Sequence, residues 1–547
     1  MKRQRRTSAG PTLPVTARGV SPRRAAPGAV LGLVLGLIAL VALGGAAPAG
    51  AGPADGGLKG AIDAILADPR LDGGAAGVVI ADATTGETLY QHDGGDRLMP
   101  ASNTKLVTSA AAMALLGPDH RFRTEVLAVG ARRGSTLRGD LYLRGGGDPT
   151  LLARDYAGLA EQVAAAGITR VTGRLVADDT RFDDRRLGRS WAADDESAYY
   201  EAPISALTLA PDTDYDAGTV VVETAPGPRE GSRPRVTLTP ANHRVRVENL
   251  ARTLPAGRPA TLAVERRHGS DTLVVTGGLP LGAAPGKEWI AVQDPTGYAT
   301  SVFAGALAAR GIRVVGPVRL GVRTPAGATA VAAHDSMPLR ELLRPFMKLS
   351  NNMHAEALTK AMGVRTADRG DWSAGLAAVG GYLRTEGVDT GALRQVDGSG
   401  LSRMNVFPAG QLARLLLAVQ DAPWFTDWYA ALPVACAQDR MVGGTLRSRM
   451  CATPAALNAH AKTGSLTGAS ALSGYVTDAK GRRLVFSVVL NNFLADSVKG
   501  VEDAVVVTLA SSDTAGGTIA TVRPPRTRSA EPAAGGLECS WHKPAPC

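Results

Sequence analysis

Residues 100–106 read PASNTKL, and they place Ser102 three positions before Lys105 where the chain becomes apolar. The segment that follows, TKLVTSAAAMALL, is rich in alanine and leucine and is closed by Gly117 and Pro118, which predicts a helix of about three turns. Residues at i and i+3 share one helix face, so a neutral lysine amine there can activate the hydroxyl. Ser102 and Lys105 are therefore a candidate nucleophile and base, the alternative being that Ser102 only caps the helix.

A second pair with the same spacing, Ser540 and Lys543, shows how little the spacing decides alone. Pro544 and Pro546 follow it, and no apolar periodicity surrounds it. The last stretch is rich in Thr, Arg, Ala and Pro, so we expect residues 513–547 to form a disordered tail.

The chain of 547 residues exceeds the size at which one hydrophobic core keeps growing, which predicts two to four domains. Its hydrophobic content of 45% is typical of globular proteins. Its charged content of 20% excludes a mainly disordered chain.

The net charge of +10 does not indicate nucleic-acid binding, because residues 1–51 hold seven basic and no acidic residues. A basic leader, the apolar run AVLGLVLGLIALVAL and the small residues GGAAPAGAG predict a signal peptide over residues 1–51, cleaved after Ala49 or Ala51. The alternative is an uncleaved anchor, for which the run is short. We expect an exported protein, in the cell wall or on the outer face of the membrane.

Four cysteines form an even set, which in an exported protein predicts disulfides. We expect Cys436 and Cys451 to be bonded, with two free buried thiols as the alternative. Cys539 and Cys547 have no assigned connectivity. No cysteine has a metal-ligand spacing and the eight histidines are scattered, so the sequence indicates no metal and no cofactor.

The order of predicted elements indicates one domain interrupted by an insert. Two strands flank the turn at Thr84–Gly86, and a long hairpin turns at Lys480–Gly481 before a terminal helix near 498–510. Between them, short alternating runs broken by glycine predict β-rich units. A helix is also predicted after Asp294, with Pro295 at its first position.

Two further motifs follow the serine–lysine pair: KLSNNMHAE supplies Ser350 and Asn352, and HAKTGSL supplies Lys462, Thr463, Gly464 and Ser465. A serine–lysine pair, S-x-N and K-T-G in that order form the signature of serine penicillin-recognising enzymes. Ser350 and Asn352 can pass a proton to a leaving amine and hold the substrate amide. Lys462, Thr463 and Ser465 can bind a carboxylate, while Gly464 admits the substrate backbone.

The chain resembles the class C low-molecular-weight penicillin-binding proteins, the D-alanyl-D-alanine carboxypeptidase/endopeptidases. Beyond the three motifs, RGGGDPTL, ISALTL, DGSGLSRMN, GTLRSRM and LSGYV look like the family's signature segments. The resemblance implies an α/β fold: a β-lactamase/DD-transpeptidase-like domain, an antiparallel sheet between helices, with two inserted β-rich domains. It divides the chain into a peptidase domain (52–123 and 289–512), an inserted β domain (124–151 and 238–288) and a second inserted domain (152–237).

The resemblance also implies the chemistry: cleavage of D-Ala-D-Ala ends or D-Ala cross-links of peptidoglycan peptides through an acyl-enzyme on Ser102, and covalent inhibition by β-lactams. By position, Arg403 and Asp195 would bind the carboxylate and ammonium of a diaminopimelate side chain, or both are solvated charges. The alternatives are an inactive wall-binding protein on the same fold and a β-lactamase, for which we find no clear glutamate motif. Wall or peripheral membrane association fits this substrate.

Overall fold

The computed structural model describes residues 57–513 and Lys543, so the expected signal peptide and most of the expected tail lie outside the described residues. In that part of the chain, no helix is both long and apolar enough to cross a bilayer. The helices are α1 (Leu58–Leu66), α2 (Thr104–Leu115), α3 (Ala153–Ala165), α4 (Pro295–Ala309), α5 (Leu339–Lys348), α6 (Asn352–Ala367), α7 (Trp372–Thr385), α8 (Ala409–Ala418), α9 (Phe425–Ala431), α10 (Arg440–Gly443) and α11 (Lys499–Ser511).

The strands are β1 (Ala75–Asp82), β2 (Thr88–His92), β3 (Arg123–Arg133), β4 (Thr136–Arg144), β5 (Arg170–Val171), β6 (Leu175–Asp178), β7 (Thr219–Ala225), β8 (Arg235–Thr239), β9 (Arg246–Asn249), β10 (Arg252–Leu254), β11 (Ala263–Arg266), β12 (Thr272–Thr276), β13 (Gly278–Pro280), β14 (Gly286–Ala291), β15 (Arg313–Val314), β16 (Thr329–Asp335), β17 (His460–Leu466), β18 (Ala469–Thr477) and β19 (Arg483–Asn491).

A five-stranded antiparallel sheet in the order β17-β18-β19-β1-β2 brings the two ends of the folded chain together. The predicted hairpin at Lys480–Gly481 joins β18 to β19, and Gly481 has the positive φ of 83° that this tight turn requires. Because β1 pairs with β19, the N-terminal hairpin β1-β2 joins the C-terminal strands β17, β18 and β19 in one sheet. The prediction of one domain split by an insert agrees with this pairing.

Both faces of this sheet are covered by helices, and β18 and β19 are accordingly buried along almost their whole length. Val485 and Val489 of β19 pack into a core shared with α2 and α5–α9. The residues between them, Phe486 and Val488, belong to a second core shared with α1 and α11. The predicted fold class, an antiparallel sheet between helical layers, is confirmed.

The insert is built on its own sheet, in the order β15-β5-β4-β3-β16 with β6 beside β4. Its core includes buried residues of α3 and α4, whose Tyr156 and Phe303 rings lie 6.3 Å apart. Three smaller sheets complete it: β14-β7-β8, β11-β12-β9 and β10-β13.

These pairings differ from the division of the insert that we expected from the sequence. Residues 124–151 were grouped with 238–288, but β4 pairs with β6 and β3 pairs with β16. Residues 289–335 were placed in the peptidase domain, whereas α4 and Ala332 pack in the core of the insert. The alternating pattern of a short strand does not indicate which strand it pairs with, so these domain boundaries could not be predicted from the sequence alone. The packing favours an insert that ends near residue 335.

Candidate active site

Ser102 lies in a turn of 3₁₀ helix, Ala101–Asn103, that leads directly into α2. Ala101 before it has a φ of 46°, a left-handed conformation that is uncommon outside glycine. The hydroxyl of Ser102 does not cap the helix; its Oγ lies 2.7 Å from the Nζ of Lys105. Both residues are buried, so the pair is held in one geometry.

Lys105 connects the first motif to two other segments of the chain. Its Nζ donates to Oδ1 of Asn352 at 2.7 Å and to the backbone carbonyl of Ser399 at 2.9 Å. The sequence predicted that Ser102, Lys105 and Asn352 belong to one site, and the fold brings them together. The sequence did not show the role of the Ser399 carbonyl.

The S-x-N motif occupies the turn before α6. Ser350 has a φ of 60° and is fully buried, and Asn351 stands at the N-cap position without a side-chain cap bond. Ser350 therefore does not act as the helix cap. Asn352 donates from Nδ2 to the backbone carbonyl of Tyr200 at 2.8 Å, so its amide is fixed between Tyr200 and Lys105.

The K-T-G motif lies on β17, at the edge of the five-stranded sheet. Lys462 donates from Nζ to Oγ of Ser350 at 2.9 Å, which joins the second motif to the third. Thr463 donates from Oγ1 to Oγ1 of Thr445 at 2.8 Å. The Oγ of Ser465 is buried and has no hydrogen-bond partner within the described residues.

Gly464 lets β17 approach the turn that carries Ser102. A Cβ at this position would lie 2.6 Å from the carbonyl oxygen of Pro100 and 3.1 Å from the backbone nitrogen of Asn103. Asn103 strengthens the same contact, since its Nδ2 donates to the Lys462 carbonyl at 3.0 Å. No sequence pattern marked Asn103 beyond its place between Ser102 and Lys105.

The loop around Ser399 is held by two buried carboxylates. Glu356 accepts from the backbone N–H groups of Gly398 at 2.9 Å and Ser399 at 2.8 Å. Asp397 accepts from the N–H groups of Gly400 and Ser402 at 2.8 and 2.7 Å. Burial raises the pKa of Glu356 to about 7, and the charge of Asp397 adds to this effect. Burial also raises the pKa of Asp397, although its hydrogen bonds oppose the shift.

Gly400 explains why this loop is rich in small residues. Its φ is 86°, and a Cβ there would lie 1.9 Å from the carbonyl oxygen of Ala101, beside Ser102. The loop therefore packs directly against the turn of the candidate nucleophile. The segment DGSGLSRMN stood out in the sequence, but its contact with Lys105 depends on the fold.

Arg403 and Asp195 lie at the end of the site near the tip of β17. Arg403 is exposed and donates to the Thr467 carbonyl at 2.9 Å. Asp195 accepts from the Tyr200 hydroxyl at 2.9 Å, and the Tyr200 backbone in turn binds Asn352. Each residue therefore contacts a neighbour of the site, and their binding of a substrate side chain stays a prediction.

The predicted disulfide between Cys436 and Cys451 is present, and it closes the segment that carries α10 and Thr445. Because Thr445 binds Thr463 of the K-T-G strand, this closed loop supports one edge of the site. The alternative of two free thiols at these positions is wrong.

A buried serine–lysine pair, an S-x-N turn and a K-T-G edge strand converge between an antiparallel sheet and its helical layer. This combination of fold and site defines the serine penicillin-recognising enzymes. Residues 58–512 match the D-Ala-D-Ala carboxypeptidase 3 (S13) family, and the chain belongs to that family.

Known relatives agree with this assignment. The chain is 46% identical over 485 residues to a D-alanyl-D-alanine carboxypeptidase of Actinomadura sp. (strain R39), covering 88% of this chain and 89% of the relative. It is 26% identical to penicillin binding protein 4 of Haemophilus influenzae, whose crystal structure superposes with a TM-score of 0.70 over 80% of this chain and 94% of that one. A complex of the same Haemophilus protein with a novel β-lactam superposes with a TM-score of 0.65 at the same identity and coverage.

The family and these relatives establish the enzyme class. The protein is a serine-type D-Ala-D-Ala carboxypeptidase.

Proposed function

We propose that Ser102 is the nucleophile of this carboxypeptidase and that Lys105 is its base. The observation that carries the proposal is the position of the Lys105 Nζ, which contacts Ser102, Asn352 and the Ser399 carbonyl at 2.7 to 2.9 Å. Neutral Lys105 takes the proton of Ser102 as Oγ bonds to the carbonyl carbon of the penultimate D-alanine. The backbone N–H groups of Ser102 and of residue 465 or 466 donate hydrogen bonds to the carbonyl oxygen and stabilise the negative charge that develops on it.

Ser350 and Lys462 serve the second half of acylation. As the C–N bond breaks, the Ser350 hydroxyl gives its proton to the leaving amine, and Lys462 replaces that proton through its 2.9 Å hydrogen bond. The terminal D-alanine leaves, and water then hydrolyses the ester on Ser102. Asn352 holds the substrate amide while its own Nδ2 stays bound to the Tyr200 carbonyl.

The free carboxylate of the substrate binds Lys462, Thr463 and Ser465. The buried Ser465 Oγ supports this role, because a buried hydroxyl without a partner among the described residues gains a hydrogen bond when the substrate enters. Gly464 gives the substrate backbone room along β17. Near the tip of β17, Arg403 and Asp195 bind the carboxylate and ammonium of a diaminopimelate side chain.

The substrates are peptidoglycan stem peptides, and β-lactams acylate the same serine. The Haemophilus protein, which has been solved with a β-lactam, supports the second part. Endopeptidase cleavage of D-Ala cross-links uses the same acyl-enzyme with a larger leaving amine. The two rival functions, an inactive wall-binding protein and a β-lactamase, make different demands: the first needs no nucleophile, and the second needs rapid hydrolysis of a penicilloyl ester.

The site works outside the cytoplasm, in the wall or at the outer face of the membrane. The basic, apolar and small-residue order of residues 1–51 supports export. N-terminal sequencing of the protein from culture medium and cell envelope should give a chain that starts after residue 49 or 51. Retention of Met1 in the exported protein would contradict cleavage.

The proposed roles of the two lysines are tested with a D-Ala-D-Ala peptide and its C-terminal amide. Wild type should prefer the acid, and Lys462→Ala should lose most of this preference because it lacks the carboxylate partner. Lys105→Ala should keep the preference but react roughly 10²- to 10⁴-fold more slowly, as expected for loss of a general base. If Lys462→Ala discriminates as well as wild type, Lys462 serves only the proton relay through Ser350.

A further inference from the structure

Arg266 is a charged residue of the insert whose side chain is buried. It is the last residue of β11, and its side chain is only 2% exposed. Burying a guanidinium is unfavourable unless its N–H groups find partners, so the contacts of Arg266 show what the charge holds in place. Its Nη1 donates to Oε1 of Gln293 at 2.6 Å, directly before the Asp294 cap of α4. One end of the guanidinium is thereby anchored within the insert.

The other end of the guanidinium holds the turn formed by residues 195–198. Nη2 of Arg266 donates to the Glu196 carbonyl at 2.7 Å and lies 3.5 Å from Oε2 of the same residue. The backbone N–H of Arg266 donates to Oγ of Ser197 at 3.0 Å. From β14, the Ala291 N–H donates to the Ser197 carbonyl at 3.1 Å. Two strands of the insert, β11 and β14, therefore hold this turn.

The turn carries Asp195 and connects it to the site. The Ala198 N–H donates to the Asp195 carbonyl at 2.8 Å and closes the turn. The Asp195 carboxylate accepts from the Tyr200 hydroxyl at 2.9 Å, and the Tyr200 carbonyl accepts from Asn352 at 2.8 Å. Asp195 is partly buried, whereas Asp194 beside it is exposed. Of these two aspartates, it is Asp195 that the turn joins to the site.

The shape of an arginine side chain suits this bridging position. A guanidinium presents several N–H donors in a rigid plane and stays charged when it is buried. Burial lowers the pKa of Arg266, and the charges of Glu196 and Asp271 oppose that shift. Because the plane is bonded to Gln293 at one end and to Glu196 at the other, it sets the distance between the start of α4 and the turn. A lysine keeps the charge but has no such plane.

We infer that Arg266 is a positioning residue for substrate specificity, which holds the turn at Glu196 and Ser197 and so places Asp195 where the ammonium of the substrate side chain binds. The inference rests on the proposed function, in which Asp195 binds that ammonium. Through Arg266, the insert takes part in the choice of wall peptide. Loss of Arg266 should therefore change which substrate is preferred and leave the reaction at Ser102 intact.

The test compares two D-Ala-D-Ala peptides that differ in one group: a free ammonium on the diaminopimelate side chain, or the same amine acetylated. The ratio of their kcat/KM values measures the preference for the ammonium. Arg266→Met should lower this ratio at least about tenfold, because misplacing a binding group by about 1 Å can cost a factor near 100. Its kcat/KM for the acetylated peptide should change little. Acylation by benzylpenicillin, which has no ammonium, should also change little.

The neighbouring arginine provides a matched control. The side chain of Arg267 is 57% exposed and pairs with Glu248 on the surface of the insert, so Arg267→Met removes the same charge without touching the turn. It should keep the wild-type ratio. Arg266→Lys should give a ratio between those of wild type and Arg266→Met, since it keeps the charge and loses the planar set of donors.

A double variant shows whether Arg266 acts through Asp195. Asp195→Asn should lose the preference, and adding Arg266→Met should lower the ratio no further, because both changes remove one interaction. Ser197→Ala is a milder change that removes the hydroxyl bonded to the Arg266 N–H and buries no unpaired charge. It should lower the ratio in the same direction. If Arg266→Met does not fold, Ser197→Ala decides, and an unchanged ratio in Ser197→Ala overturns the inference.

An unchanged ratio in folded Arg266→Met would overturn the inference. So would an equal loss on both peptides and on benzylpenicillin, because Arg266 would then only stabilise the fold. Failure of the proposed function gives a different result: if Asp195→Asn keeps the wild-type ratio, Asp195 does not bind the ammonium, and the role of Arg266 falls with it. If Asp195→Asn loses the preference while Arg266→Met keeps it, the inference alone fails.

Discussion

Glu356 offers a sharp test of how the fold positions Lys105 without touching the substrate. Its Oε2 accepts from Gly398 N–H at 2.9 Å and from the Trp372 Nε1–H at 2.7 Å, and its Oε1 accepts from Ser399 N–H at 2.8 Å. A glutamine has one acceptor oxygen and one donor nitrogen in this place. In Glu356→Gln, at least one buried N–H donor must therefore face another donor.

The smallest rearrangement keeps the glutamine oxygen on Gly398 and Trp372 and leaves the Ser399 N–H unpaired. An unsatisfied buried donor costs about 1 to 3 kcal/mol, which should appear as a lower free energy of unfolding in urea. Ser399 can relieve the clash by moving, and its carbonyl then leaves the Nζ of Lys105, now 2.9 Å away. Misplacement of a catalytic group by about 1 Å can cost a factor near 100, so we expect acylation by a fluorescent penicillin to slow 10- to 100-fold.

Two controls separate positioning from loss of stability. Trp372→Phe removes the Nε1–H bond to Glu356 but leaves both backbone amides bound, so it should lower stability with little change in the acylation rate. Glu341→Gln changes an exposed glutamate of α5 and should alter neither quantity. If folded Glu356→Gln acylates at the wild-type rate, Glu356 does not position Lys105.

Three further outcomes are expected. Burial lowers the pKa of His354 to about 4, so between pH 6.5 and 4 the unfolded chain takes up a proton on His354 that the folded chain largely does not. Over that range the free energy of unfolding should therefore fall by about 3 kcal/mol more in wild type than in His354→Gln. Urea unfolding measures this difference, and an equal pH dependence for the two proteins would contradict it. Gly464→Ala should slow acylation at least tenfold, because its Cβ would lie 2.6 Å from the carbonyl oxygen of Pro100. Gly60→Ala is the control and should not slow acylation, since a Cβ there has no atom within 4 Å. Equal acylation rates for the two variants would refute the close approach of β17 to the Ser102 turn. Reductant should lower the thermal midpoint of wild type more than that of a Cys436→Ser/Cys451→Ser variant, since closing a loop with a separation of 15 residues contributes about 3 kcal/mol in the chain-entropy model; equal shifts would argue against a stabilising role.

The predictable part of the structure came from local patterns with strong physical causes. The helix after Ser102, the hairpin at Lys480–Gly481 and the Asp294 cap each depend on residues close in sequence, and each is present; the Asp294 side chain accepts from Gly297 N–H. The order of the three motifs along the chain is itself a sequence pattern. The fold brings them together at the β17 edge of the sheet.

The unpredictable part depends on contacts between distant segments. Ser399 reaches Lys105 across 294 positions, and it does so with a backbone carbonyl, which any residue type could supply. The strand partners in the insert could not be predicted for the same reason, since alternation marks a buried face and not the strand beside it. The ion pairs of Lys543 with Asp214 and Asp216 likewise depend on the fold, because these two aspartates resemble an ordinary acidic loop in the sequence.

The central claim is that Ser102 is the residue that becomes acylated. Full-length wild type and Ser102→Ala should be incubated with benzylpenicillin, and their intact masses measured by mass spectrometry. Peptide mapping after digestion then locates the adduct. We predict one penicilloyl group per wild-type chain, on the peptide that contains Ser102, and no adduct on Ser102→Ala. An adduct that persists in Ser102→Ala, or that maps to another residue of the wild type, would contradict the account.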